Sequence, residues 1–166
     1  MLNKSRKCLM IGLIFSLSAC SLWQGEKKVI NLSKDQLDQK SYAVAYETTV
    51  ASYQGKVNQD YDVNSFAGGV QDWFSQRILV SIADIKTKLG KGLNSDIHAY
   101  YSGVVFAYDL QQNFSRLGKN CWEKIERPSL SQGIYDAMLD LRKGQDRSQA
   151  DKYIIQGSEM LLKVCQ

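Results

Sequence analysis

Apolar residues recur along this chain at helical spacing. Phe66, Val70, Trp73 and Phe74 fall at i, i+4, i+7 and i+8, which places them on one face of a helix. Ile97, Tyr100, Tyr101, Val104, Val105 and Tyr108 form a second stripe. Phe106, Leu110 and Phe114 lie on another side of that same segment, which is therefore expected to be a central helix covered on two faces. Leu130, Ile134, Met138 and Leu141 make a third stripe. The run Ile78-Leu79-Val80 is too short to carry a sheet.

Capping chemistry sharpens these boundaries, because a side-chain oxygen placed just before a helix satisfies an otherwise unpaired first-turn N–H. Ser33-x-x-Gln36, Ser81-x-x-Asp84, Ser129-x-x-Gln132 and Ser148-x-x-Asp151 all have the Ser-x-x-acid/amide form, and Asn64-Ser65 and Asn94-Ser95 offer two more starts. Pro128, the only proline, stands where a helix begins and its missing N–H costs nothing. The expected fold is all-α, with about six helices at roughly 33–56, 65–76, 81–90, 95–118, 129–143 and 148–164. They should share one core in a single domain.

The helical part repeats itself. Ser65, Phe66, Gly69, Val70, Asp72 and Phe74 align with Ser129, Leu130, Gly133, Ile134, Asp136 and Met138 at an offset of 64. Ser81-x-Ala83-Asp84 recurs as Ser148-x-Ala150-Asp151, and Val44-Ala45-Tyr46 sits over Val104-Val105-Phe106. Three matched blocks in the same order predict two units, about 33–90 and 95–164, packed as one compact bundle. Gly68-Gly69, inside a predicted helix where glycine costs about 1 kcal/mol relative to alanine, points to a close helix–helix approach. Asp72 and Asp136, at equivalent places, are expected to pair with or cap a neighbouring helix.

Within the first unit, Ser41-Tyr42-Ala43-Val44, Phe66-x-x-Gly69-x-x-Asp72 and Val80-Ser81-x-x-Asp84 stand in order. This succession resembles the N-terminal helical domain of FKBP-type peptidyl-prolyl isomerases of the bacterial envelope, the FkpA and Mip kind. The match departs at Ala45-Tyr46, where that domain has a helix glycine. The resemblance implies a dimerisation element of intertwined helices. A chain carrying two copies is then expected to be a monomeric pseudo-dimer. Nothing here resembles the isomerase sheet, so the shape is implied, a cradle for other polypeptides, and the chemistry is not.

The first nineteen residues read differently. Lys4, Arg6 and Lys7 precede a short apolar run, Leu9 to Phe15, and the segment closes on Leu17-Ser18-Ala19-Cys20. The run is too short for a permanent span and has the build of a secretory signal. Its end resembles the lipobox of bacterial lipoproteins, which implies a signal peptide at 1–19, lipidation of Cys20 and a tether at 20–32. Ser21 stands where, in that family, an aspartate would favour the inner membrane, so an outer-membrane, periplasm-facing anchor is expected. Three of the 21 basic residues leave with the signal and none of the 17 acidic ones does, so the charge falls from +4 to about +1. No basic cluster remains for nucleic acid.

With Cys8 removed and Cys20 lipidated, Cys121 and Cys165 are left as an expected disulfide in an oxidising compartment. No metal site or cofactor is expected from two cysteines and the lone His98. There is no nucleophile elbow, phosphate-cradling loop or dinucleotide fingerprint, and the chain is expected not to be an enzyme. Tyr42, Tyr46 and Tyr53 share one helical face; they suit either a partner-binding surface or an aromatic seam between helices. The expected role is therefore a lipid-anchored protein binding an unidentified envelope protein as assembly factor, scaffold or chaperone-like holder. The alternative is a periplasmic immunity or inhibitor protein that neutralises a toxin.

Overall fold

The computed structural model of the protein describes residues 31–165. The expected signal, Cys20 and most of the tether lie outside them. Six α-helices and two short 3-10 turns, and no strand, make up the described residues: α1 (Gln39–Tyr53), α2 (Val63–Phe74), α3 (Ile82–Leu89), α4 (Ser95–Leu117), α5 (Arg127–Arg142) and α6 (Lys152–Cys165), with the turns at Lys34–Gln36 and Trp122–Lys124. The all-α expectation holds.

Several helices start on an acid placed three residues before a serine. Asp38 accepts from the Ser41 N–H, Asp62 from that of Ser65 and Glu126 from that of Ser129. Ser65 and Ser129 thus stand inside their helices, which begin two residues earlier than expected. Pro128 sits in the first turn of α5. The Ser81 cap is real, its hydroxyl accepting from the Asp84 N–H. Ser33 and Gln36 close only a single turn before Leu37 becomes extended and Asp38 starts α1 afresh. Ser148 lies in a turn, and α6 begins only at Lys152.

The helices pair across the two halves. α1 packs on α5 and α6, α4 packs on α2 and α3, and α2 meets α5 between them. The first helix of each half thus lies on the second and third helices of the other half. Exchanging α1 with α4, α2 with α5 and α3 with α6 leaves this set of pairings unchanged, so the two units form an intramolecular swap. α4 is covered by two helices, α2 and α3, as expected, and its counterpart α1 is covered likewise by α5 and α6. Ala43 of α1 lies against Gly157 of α6, while Ala45, about 200° away around the helix, lies against Gly133 of α5. Ser41, Ala43 and Ala45 are fully buried, and such small side chains let two helices approach one between them.

Close approach recurs at the α2–α4 crossing. A Cβ on Gly69 would collide with the Tyr100 carbonyl, as one on Gly133 would with the Tyr42 carbonyl. A Cβ on Gly103 would meet the Phe66 carbonyl. The two crossings are matched by hydrogen bonds: Tyr100 OH donates to Asp72 Oδ2 (2.7 Å) and Tyr42 OH to Asp136 Oδ2 (2.9 Å). The caps Asp62 and Glu126, the serines, the glycines and these aspartates keep the offset of 64. The long helices instead correspond through Tyr42 and Tyr100, an offset of 58, which corrects the Val44-Ala45-Tyr46 alignment by two residues. A shift of two turns a helix by about 200°, so apolar letters matched there belong to opposite faces.

The inner stripe of α4 is Ala99, Gly103, Val104, Phe106, Ala107, Leu110 and Phe114. Ile97, first in the expected stripe, is exposed. Phe66, Val70, Phe106, Leu110, Leu130, Ile134 and Met138 join one continuous core. The Cys121–Cys165 disulfide is present and ties the end of α6 to the loop after α4.

Candidate functional site

Tyr42 and Tyr46, expected as a partner-binding surface with Tyr53, are buried at 5% and 0% exposure. Of the two readings of this face, the seam describes them. They reach from α1 to α5 and to the loop that follows it. Tyr46 OH donates to Asp140 Oδ2 (2.8 Å) and accepts from the Arg147 backbone N–H (3.2 Å). Arg147 donates through Nε to Asp140 (2.7 Å), pairs with Asp151 (3.2 Å) and reaches the Tyr42 hydroxyl (3.3 Å). Its guanidinium lies over the Tyr46 ring. Gln132 completes the set by donating to Asp136.

The electrostatics make this network a clamp. Burial, joined by the neighbouring Asp136, holds the Tyr42 hydroxyl protonated far above its ordinary range. Burial likewise pushes Tyr46 up to about 12, against the hydrogen bond from the Arg147 backbone. Burial works against the charge on Arg147, yet its bonds to Asp140 and Tyr42 raise its pKa further. The Tyr42 and Tyr46 hydroxyls both have partners, and their bonds hold α1 to α5 and to the α5–α6 loop. Asp72 repeats the motif in the other half, bonded by Tyr100 and paired with Arg77 at 3.0 Å. His98, on the exposed first turn of α4, lies 3.5 Å from the Ser102 hydroxyl. Among the described residues no group of His, Cys, Asp or Glu is arranged to hold a metal ion. No helix among them is long and apolar enough to cross a membrane.

Tyr53 is placed differently. It is partly buried and stacks edge-on against Phe66 and Phe106. Its ring forms part of a groove of about 460 Å³ between the C-terminal half of α1 and the middle of α4. Val105, Phe106, Leu110 and Leu89 share the apolar part of the lining, and Ser52, Lys56, Ser102, Asp109 and Asn113 add polar groups. Burial raises the Tyr53 pKa, so its hydroxyl remains a hydrogen-bond donor. The sequence flagged Tyr53 but not the other wall. Phe106 is core as expected and only its edge reaches the groove, whereas Val105, in the same expected stripe as Val104, is half-buried because a helical stripe does not reveal where a neighbouring helix stops.

A second hollow, about 310 Å³, is walled by Trp73, Phe74, Trp122 and Ile78, with Arg127 at its edge. Trp73 donates its indole N–H to Gln111, and Trp122 carries the Arg127 guanidinium over its ring. Leu79, beside it in the loop after α2, is 97% exposed. This hollow was not anticipated; the expected helix at 65–76 ran through Gln76, whereas α2 ends at Phe74 and Gln76 adopts a positive φ of 57° in the turn that follows.

No solved structure matches this chain. A protein of Haemophilus influenzae described as "Uncharacterized protein" is similar to it, 50% identical over 171 residues and covering 96% of each chain. A family model described as "Uncharacterised lipoprotein" matches residues 35–166, the whole helical domain from its first turn. A lipoprotein is also what the sequence around Cys20 implied, and the chain belongs to this lipoprotein family.

Proposed function

We propose that this lipoprotein is a non-enzymatic binding protein, held on the outer membrane through Cys20 and facing the periplasm. The observation that carries this reading is the groove between α1 and α4, with its apolar wall and polar rim. Such a groove suits the apolar face of an amphipathic segment from another protein. Tyr53 supplies a large, stiff contact surface with a polar tip, the side chain best suited to a wet interface. Ser21 after the lipidated cysteine supports the outer membrane as its address. The swapped arrangement of the two units supports a monomeric pseudo-dimer, and through it the resemblance to the dimerisation domain of the envelope isomerases.

The test is photo-crosslinking in living cells with the full-length chain. A crosslinking side chain at Ser52 or Asn113, on the groove, should trap a defined protein, and one at Gln156 on the outer side of α6 should not. Val105→Glu should abolish the adduct while Cys20→Ala, which releases the chain from membranes, should change its yield. Equal crosslinking from all sites, or an adduct indifferent to Val105→Glu, would sink the groove as the binding site. The identity of the trapped protein decides between an assembly role and neutralisation of a toxin.

A further inference from the structure

Seven large apolar side chains stand exposed among the described residues, and four of them, Leu117, Met160, Leu162 and Val164, belong to the adjoining ends of α4 and α6. Those ends are held together. The disulfide joins Cys121 to Cys165, Lys124 Nζ donates to the Val164 carbonyl, and Gly118 lies against the Cys165 carbonyl. Arg116, Lys119, Lys124 and Lys163 are exposed around these residues, against Glu123 and Glu159. None of the four cations makes a salt bridge among the described residues.

The anchored end of the chain arrives on the same side of the fold. Leu32 N–H bonds the Gln132 side chain, Asp38 N–H bonds Ser129 Oγ, and Ser41 Oγ accepts from the Glu126 N–H. All three contacts fall on the first turns of α5, directly after the Trp122–Lys124 turn and Cys121. From Cys20 to Leu32 the chain can reach at most about 40 Å, so a lipid on Cys20 lets this end of the fold reach the bilayer surface without holding it there.

We infer that the joined ends of α4 and α6 form a second, end-on membrane contact, in which Leu117, Met160 and Val164 and, on the opposite flank of the last turns of α6, Leu162 enter the headgroup region of an anionic lipid surface. Interfacial binding grows with the apolar area buried and with attraction between basic side chains and acidic headgroups, and this patch offers both. The contact rests on the lipid anchor at Cys20. It orients the molecule, turning the C-terminal half of α1 and the groove at Tyr53 away from the bilayer. An anchor alone would leave that orientation free.

The test uses the lipidated full-length protein, its acylation verified by intact mass, in nanodiscs of phosphatidylethanolamine and phosphatidylglycerol. Nitroxide-bearing lipids should erase the methyl signals of Leu117, Met160, Leu162 and Val164, and should leave those of Thr48 and Ala51 intact. The double variant Leu117→Glu/Leu162→Glu should recover the signals of Met160 and Val164 although acylation is unchanged. Uniform broadening, no broadening, or broadening the variant leaves unchanged would overturn the inference, the last because proximity would then come from the tether alone. Signals erased by nitroxide on a second protein copy, and not by the lipids, would also overturn it and assign the patch to self-association. A mass without acyl chains would locate the failure in the anchor.

Discussion

Placing a methyl group on Gly69 should force two helices apart. The new Cβ would lie against the Tyr100 carbonyl and the Val104 backbone nitrogen, and neither can swing away as a side-chain tip could. Alanine favours a helix over glycine by about 1 kcal/mol, which works in the variant's favour. Overpacking costs about 1–3 kcal/mol when side chains can adjust and more when they cannot. With rigid backbone on the far side the upper part of that range applies, so Gly69→Ala should lose about 2 kcal/mol net. For a domain of this size each kcal/mol moves the melting point by about 2–4 °C, giving a fall of about 4–8 °C. The pseudo-symmetry requires the same sign at Gly133→Ala, whose Cβ would meet the Tyr42 carbonyl. Gly90→Ala is the control. There φ is −73° and the new Cβ would sit 3.6 Å from the nearest atom, so the change should be neutral or slightly stabilising. Thermal unfolding followed by circular dichroism reads all three. If Gly69→Ala melts at or above the parent, as Gly90→Ala should, the close crossing is wrong.

Other perturbations follow the same logic. Replacing Cys121 and Cys165 together by serine opens a loop with a sequence separation of 44 and should cost roughly 3–4 kcal/mol by the chain-entropy relation, read as a lower urea midpoint. Tyr42→Phe removes the hydroxyl that bonds Asp136 and Arg147 and should cost about 1–3 kcal/mol in the same titration; an unchanged midpoint would show that the clamp contributes nothing. For Asp38 and Asp62, burial works upward, but hydrogen bonds from Lys40 and Ser41 to the first and from Ser65 to the second outweigh it and lower both pKa values. Their contribution is therefore complete above the unfolded value of about 4 and is lost as pH falls through the lower folded values. Tyr46 and Tyr61, both raised to about 12 chiefly by burial, act in the opposite direction. Their contribution is complete below the unfolded value near 10 and is lost as pH climbs toward about 12. Melting points should thus drop at both extremes, the alkaline drop accompanied by tyrosinate absorbance.

Helix existence was legible because period and caps agree over long stretches, as at Phe66, Val70 and Trp73 or at Leu130, Ile134 and Met138. The helix starts were displaced at α2 and α5 because serine is a donor there, and the capping acids Asp62 and Glu126 stand three residues earlier. The partners of the long helices were not legible. Tyr42 and Tyr46 share a helical face with Tyr53, and spacing alone cannot say that α5 covers the first two and leaves the third beside a groove. The role expected of Asp72 and Asp136 could be read because a carboxylate repeated at fixed spacing in a helix needs a partner, and each takes a tyrosine of the opposite half. The exposed ends of α4 and α6 went unnoticed, since Leu117, Leu162 and Val164 look like core residues until the neighbouring helix is known to be absent.

The two halves hold their partners with unequal strength. α6 buries Ile154, Gly157, Leu161 and Cys165 against its surroundings and is secured by the disulfide and, at the loop before it, by Arg147. α3, its counterpart, buries only Ile85 and adds exposed contacts of lysines with α4: the ion pair of Lys86 with Asp109 at 3.3 Å, and Lys86 and Lys88 over the rings of Tyr108 and Tyr101. An exposed pair of this kind contributes about 0–1 kcal/mol, so the docking of α3 on α4 depends mainly on one isoleucine. Elements with few buried apolar contacts open locally at a fraction of the global free energy. Amide hydrogen exchange should therefore be faster through Ile85–Leu89 than through Leu161–Cys165, and Ile85→Ala should accelerate it further in α3 while α6 keeps its protection. Leu89, at the end of α3, lines the Tyr53 groove, so the helix that opens most readily is also the one that bounds the proposed binding surface. Equal protection of α3 and α6 would mean that the two units unfold as one, and the groove would then be as rigid as the core.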